Sequence, residues 1–291
     1  MTQARELVIK DTRLLTRQIE QPCYFPEYTM DGQSILFSGS GYAGLWLMDR
    51  SDLKVQQISN SAGAGYTPVS LSDGSIIHRQ DQYERGRKLT SLQRYTQGSN
   101  YPLTDNIRFL SAVTAHENKL TYLEDQTVSV FNVLSETRES VSDDQIAIFN
   151  NRLSLQLLSK GQLQEFQPLG GGTYIWPELS PQQDKVLFSK SGTGTFVSDL
   201  DGKILAELGM ARAPHWSPDG SLILYMVDID DGSHYTASEI WVTTADASKT
   251  WQITNTPDRI ELYPNWSPRG LEIIYHTIEG ELFETTLEIR D

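Results

Sequence analysis

Two glutamates, a histidine and an asparagine stand at one recurring point of this chain, each directly after a proline: Glu27, Glu178, His215 and Asn265. If their backbones bring them together, Glu27, Glu178 and His215 could converge on a ligand or a divalent cation. Aromatic residues precede the same prolines or their equivalents, at Tyr24, Tyr66, Tyr174, Trp176 and Tyr263, and could wall such a site. A second candidate is the run Asp228-Ile-Asp-Asp-Gly-Ser-His-Tyr235. Clustered carboxylates are what a hard cation wants, but the run lacks a bidentate glutamate and regular ligand spacing. It reads instead as an exposed acidic hairpin, with Asp228, Asp230, Asp231 and Tyr235 placed for contact with a partner. Residues Gly39 to Gly44 match the dinucleotide-binding pattern by letter, yet a strand follows where a helix is needed. The sequence has no Gly-x-Ser-x-Gly, no His-Glu-x-x-His and one cysteine, Cys23, which reads as a small core residue. No catalytic residue and no resident metal are therefore assigned, and the chain is not expected to be an enzyme.

The elements that would position these side chains are repeats. Five segments align without gaps: Pro26-Glu-Tyr-Thr-Met-Asp-Gly32, Pro68-Val-Ser-Leu-Ser-Asp-Gly74, Pro177-Glu-Leu-Ser-Pro-Gln-Gln183, Pro214-His-Trp-Ser-Pro-Asp-Gly220 and Pro264-Asn-Trp-Ser-Pro-Arg-Gly270. The second half of each is a turn: proline presets φ, aspartate caps its own backbone and glycine accepts positive φ. Beyond it come apolar residues in alternation (Ile35 and Phe37, Ile223 and Tyr225, Ile273 and Tyr275), the signature of a strand with one buried face. Further hairpins follow, as in Gly44–Asp49 with Lys54–Ile58. Four short antiparallel strands per ~40–45 residues make a β-propeller blade.

Between Pro68 and Pro177 the motif is missing, but Leu120–Leu123 with Val128–Phe131, and Ile146–Phe149 with Leu153–Leu157, keep the blade spacing. The second of these copies is one strand short. The expectation is an all-β, closed propeller of seven blades, with six as the alternative, forming a single domain over residues 1–291. Two N-terminal strands within residues 5–19 would complete the last blade, 262–291, and leave no free sheet edge. Alternation along each innermost strand puts the residues flanking proline on one side, near the channel mouth, and the Ser-Pro-Asp-Gly turns on the opposite face.

Pro-x-Trp-Ser-Pro-Asp-Gly followed by apolar-x-aromatic resembles the WD40-like repeat of the TolB C-terminal propeller. That resemblance implies a scaffold that binds a protein or a small ligand at the channel mouth. Related propellers that act as oligogalacturonate lyases use histidines and a divalent metal, which supplies the alternative of a metal-dependent polyuronide lyase. Of the five histidines, His78, His116, His215, His234 and His276, only His215 falls clearly on an innermost strand. Lys and Arg number 24 against 38 Asp and Glu, a net charge of −14, which repels phosphate backbones and argues against nucleic acid. No apolar run is long enough to span a membrane. A monomer is expected, cytoplasmic as written because no signal peptide is visible, and periplasmic if a leader has been removed.

Overall fold

In the computed structural model, which describes residues 6–116, 118–151 and 154–290, the alternating segments form 27 strands gathered into seven antiparallel sheets. The N-terminal strand is β1 (Glu6–Leu14). The first blade is β2 (Tyr24–Tyr28), β3 (Ser34–Ser38), β4 (Leu45–Asp49) and β5 (Val55–Ser59). The second is β6 (Val69–Ser70), β7 (Ile76–Glu84), β8 (Arg87–Thr96) and β9 (Ser99–Pro102); the third is β10 (Thr114–His116), β11 (Lys119–Glu124), β12 (Thr127–Asn132) and β13 (Thr137–Glu139). A fourth has three strands, β14 (Ala147–Asn151), β15 (Ser154–Ser159) and β16 (Gln162–Phe166). The fifth is β17 (Tyr174–Leu179), β18 (Lys185–Lys190), β19 (Gly194–Asp199) and β20 (Ile204–Gly209). The sixth is β21 (Arg212–Trp216), β22 (Leu222–Asp230), β23 (Tyr235–Thr244) and β24 (Thr250–Gln252). In the seventh, β25 (Glu261–Ser267), β26 (Gly270–Thr277) and β27 (Leu282–Arg290) are joined by β1, in the order β25-β26-β27-β1. This is a seven-bladed β-propeller. None of its helices, among the described residues, is long and apolar enough to cross a membrane.

The repeated turn works as its residue types dictate. Asp31 Oδ1 accepts from the Gln33 amide at 2.9 Å and from Thr29 Oγ1 at 2.7 Å, and Asp219 Oδ1 accepts from Ser217 Oγ at 2.6 Å and the Ser221 amide at 3.0 Å. The turn closes through Gly32 N to Thr29 O at 2.7 Å and Gly220 N to Ser217 O at 2.8 Å, with glycine φ values of 64° and 70°. Gln183 occupies the same point in the third repeat, with φ of 57° and the same bond to Ser180 O. A side chain there strains the backbone by roughly 1–2 kcal/mol. Gln183→Gly is therefore expected to stabilise the protein by about 1 kcal/mol, seen as a melting temperature raised by roughly 2–4 °C; an unchanged or lower value would show that the turn is not strained.

Two compact units divide the chain, one of residues up to Tyr28 together with those from Glu178 onward, the other Thr29–Pro177. In the first, Leu7, Leu224, Ile240, Val242, Trp266, Ile273 and Leu287 share one buried cluster. In the second, Leu36, Leu45, Ile58, Ile76 and Tyr95 pack together, as do Ile77, Leu92, Leu120 and Tyr122. Cys23 is fully buried, and burial pushes its thiol up to about 12, so it is inert packing.

The N-terminus differs from expectation. One strand, β1, runs across Lys10 and Asp11, which sit at a bulge between Ile9 and Asp11 and not in a turn. Leu15 N still donates to Leu282 O at 2.8 Å, and Thr16 to Ile19 then forms a turn where a second strand was expected. Residue 5 of that expectation, like Leu153 of the expected fourth-blade strand, lies outside the described residues.

Candidate functional site

Every motif copy holds the residue before its proline in the left-handed region: φ is 52° at Phe25, 47° at Thr67, 51° at Trp176, 44° at Ala213 and 49° at Tyr263. Residues preceding proline are normally extended, so this conformation is imposed by the surroundings and kept at a cost. In two copies it coincides with a bulge: the β21–β22 register shifts between Arg212 and His215, and the β25–β26 register between Leu262 and Asn265. The ladder is interrupted at these points, yet around Pro26 and Pro264 the proline is buried and both flanking residues are half-buried. Of the residues before proline, Ala213 is 2% exposed, Phe25, Trp176 and Tyr263 are half-buried and Thr67 is exposed; Glu27, His215 and Asn265 after it are half-buried.

The motif aromatics then fix the strands that carry the polar groups. Trp266 Nε1 donates to the His215 carbonyl at 3.2 Å, and Tyr28 OH donates to Glu284 Oε1 at 3.1 Å. On the strands so held, His215 Nδ1 donates to Glu178 Oε2 at 3.1 Å, with side chains 39% and 36% exposed. Glu27 stands within electrostatic reach of both. Burial raises its carboxyl to about 7, the His215 charge drawing it down and the Glu178 charge pushing it up. For His215, burial opposes the charged form, but the charge and hydrogen bond of Glu178, with Glu27 behind them, leave the imidazole above its ordinary pKa. The site is still open to water, His215 and Glu178 being 39% and 36% exposed. No hydrogen bond or ion pair from the described residues reaches the Glu27 carboxylate.

Beside them lies an aromatic cluster that includes a residue the sequence reading passed over. His276 is 2% exposed; its ring stacks on Tyr263 (centroids 5.6 Å apart, 10° between planes) and meets Phe25 at 5.4 Å and Tyr24 at 5.2 Å edge-on. Phe25 and Tyr263 pack against each other at 4.8 Å. His276 Nδ1 donates to the Thr277 carbonyl at 2.8 Å, while Nε2 is buried without a partner among the described residues. Burial lowers its pKa to about 4, so the ring is neutral. Lying on β26 and not on a first strand, it carried no signal beyond its place next to the repeat aromatic Tyr275.

The other expected residues fall elsewhere. Tyr66 and Trp176 belong to the second compact unit, where Tyr66 lies edge-on to Tyr42 at 5.2 Å and under the Arg79 guanidinium at 4.8 Å. In the 228–235 hairpin, the Asp228 side chain is fully buried, 2.9 Å from Arg212 Nε, so it is not displayed to a partner as expected. Asp230 and Asp231 are spent on the turn: Asp230 Oδ1 accepts from the Gly232 amide and Asp231 Oδ1 from those of Ser233 and His234. Ile229, 63% exposed, is what that hairpin presents. Gly39 and Gly44 bracket a single 3-10 turn, Ser40–Tyr42, between strands; Gly44 is required because a Cβ there would enter the Trp46 ring.

No protein-family model and no curated protein matches this chain in sequence. Solved structures do resemble it in fold. An oligogalacturonate lyase from Vibrio parahaemolyticus is 12% identical, covering 97% of this chain and 96% of its own, with a TM-score of 0.63. The WD40 repeats of RRP9 are 12% identical over 98% and 100% of the two chains, with a TM-score of 0.67. An oligogalacturonate lyase in complex with manganese is 13% identical over 92% and 78%, with a TM-score of 0.50. At such identities the likeness is one of fold, the seven-bladed WD40-like propeller, shared by proteins of unlike activity.

Proposed function

We propose that this chain is a non-catalytic, TolB-like propeller, acting as a monomer, that holds a protein segment or small ligand through Glu27, Glu178, His215 and Asn265. The observation that carries this reading is the half-buried Glu27 carboxyl left without a partner beside the paired His215 and Glu178. A folded protein gains no stability from a crowded, uncompensated carboxylate, and such groups collect at binding sites. Tyr24, Phe25 and Tyr263 supply apolar surface next to it.

A second reading is a polyuronide lyase, favoured by a carboxyl titrating near neutrality beside an imidazole, the pairing that general acid–base chemistry uses. The residues do not fit its metal: among the described residues no group of three or more His, Cys, Asp or Glu is arranged to hold an ion. His215 also commits Nδ1 to Glu178. The test is a thermal-shift screen of peptides and small molecules against the wild type and the Glu27→Gln/His215→Ala double variant, with polyuronide turnover assayed in parallel with and without manganese. Ligands that stabilise the wild type and lose at least about tenfold in affinity for the variant support binding at this site. Equal binding to both proteins would move the site elsewhere, and turnover would favour the lyase.

A further inference from the structure

The second strand of a blade carries one position that other blades fill with buried aliphatics: Leu36, Leu187, Leu224 and Ile274, all at most 1% exposed. The second blade has His78 there, 2% exposed. The cross-strand partner changes with it. Leu36 faces Leu47, Leu187 faces Val197 and Leu224 faces Val242, whereas His78 faces Gln93, itself 8% exposed. Ile274 faces Glu284, but that carboxylate is used by Arg13 and Tyr28. Polar groups at an apolar packing position are tolerated only when hydrogen-bonded, as His78 and Gln93 are, and a packing pattern broken in this blade marks a candidate functional place.

What surrounds His78 is a pocket of about 300 Å³ between β5 and the β7–β9 sheet. His78 itself is a fixed wall: Nδ1 sits 2.9 Å from the Arg79 carbonyl and Nε2 2.7 Å from Asn100 Oδ1, while Asn100 Nδ2 donates to the Ile58 carbonyl at 2.8 Å. The rest of the lining is amide and hydroxyl, chiefly Gln57, Ser59, Ser61, Gln80 and Gln93, with no carboxylate, lysine or arginine and with Ile58 as its apolar member. The side-chain amides of Gln57 and Gln80 have no hydrogen-bond partner among the described residues. The net charge of −14 disfavours anions, the lining offers a cation no carboxylate to pair with, and its scarcity of apolar surface selects against lipids and aromatics. Each free amide offers two donors and an acceptor, the complement of neighbouring hydroxyls on one ring, and the pocket has room for a single sugar ring.

We propose that this pocket in the second compact unit is a binding site for a neutral saccharide, independent of the Glu27 site. The test uses the full chain and calorimetric titration with glucose, galactose and N-acetylglucosamine, with glucuronate and glucosamine as charged controls. Saturable binding of at least one neutral sugar is expected, weakened about tenfold or more by Gln80→Ala, which removes one amide. The His78→Leu/Gln93→Val pair, which restores the aliphatic pattern of the other blades, is expected to abolish binding and to keep or raise the melting temperature. Should that pair fail to fold, Gln80→Ala decides alone. The proposal is overturned if no neutral sugar binds saturably, if the charged sugars bind as well, or if binding survives these substitutions.

Discussion

A chain shortened to begin at Leu15 is expected to melt at least about 10–20 °C below the full chain, or to fail to accumulate as folded protein. β1 contributes eight register pairs to β27, from Glu6 with Arg290 to Leu14 with Phe283, and without it β27 becomes an open edge. Leu7, 6% exposed, leaves the cluster it shares with Leu224 and Leu287, which costs on the order of 2–5 kcal/mol as a core truncation. Arg13 Nε, 2.6 Å from Glu284 Oε2, is lost as an ion-pair partner of a carboxylate whose side chain is 5% exposed. Together these losses exceed roughly 5 kcal/mol, a large part of the stability of an ordinary domain, and each kcal/mol moves the midpoint of a protein this size by about 2–4 °C. Calorimetry of the two proteins reads the difference directly. A truncated chain that melts within a few degrees of the full one would show that β1 does not close the seventh blade in solution.

Glu261→Gln is expected to remove most of the pH dependence of stability between about pH 4.5 and 7 and to make the protein more stable than wild type at pH 8. Glu261 is 0% exposed, takes hydrogen bonds from the hydroxyls of Thr256 and Thr254, and shares Thr256 with Glu239, whose Oε1 accepts from the Thr256 amide at 2.9 Å. Burial first, and the Glu239 charge besides, raise its carboxyl from 4.5 to about 7, against the pull of Thr256 and Arg259. The folded state therefore holds this proton more tightly than the unfolded chain does. Stability from that proton is complete below about 4.5 and is lost as pH climbs through about 7, a loss of order 3 kcal/mol. The Gln amide is neutral throughout and can donate to Glu239 Oε2, which is buried without a partner among the described residues. Glu27 titrates in the same window, but its contact with water makes its share smaller. Urea midpoints from pH 4.5 to 8 for both proteins settle the matter: parallel curves would mean that Glu261 is ionised in the folded state without penalty.

Much of the architecture was legible because the repeat states it in residue types whose mechanics are local. Asp-Gly pairs at 31–32, 73–74 and 219–220 can do little but turn, and the alternating apolar residues behind them have one way to be buried. Even the eroded copies at Leu120–Leu123 and Ile146–Phe149 led to β11 and β14, because burial constrains them as it does the others. The left-handed residue before each motif proline was not legible. Phe25, Trp176 and Tyr263 are aromatic, Ala213 is small and Thr67 is β-branched, and none is the glycine that would signal positive φ, so residue type did not announce the left-handed turn. Glu27, Glu178 and His215 were found by their place after proline; that Glu178 would bond His215 and leave Glu27 alone depends on distances between strands far apart in sequence. His276 and His78 were counted among histidines off the first strands, and their burial follows from cross-blade packing that no local pattern records. Likewise Asp228 read as exposed because it opens an acidic run, when its strand continues past it and turns its carboxylate onto Arg212.

The kink that precedes each proline separates two jobs along one short segment. Upstream, Phe25 and Tyr263 pack on each other and Ala213 is buried; downstream stand glutamate, valine, glutamate, histidine and asparagine at 27, 69, 178, 215 and 265. A substitution at Glu27, Glu178, His215 or Asn265, none of them fully buried, alters what is shown while the apolar clusters stay in place; Val69 differs, since it packs against a buried cluster. The scaffold can accordingly exchange one specificity for another a single codon at a time, which is how a fold comes to serve proteins of unlike chemistry.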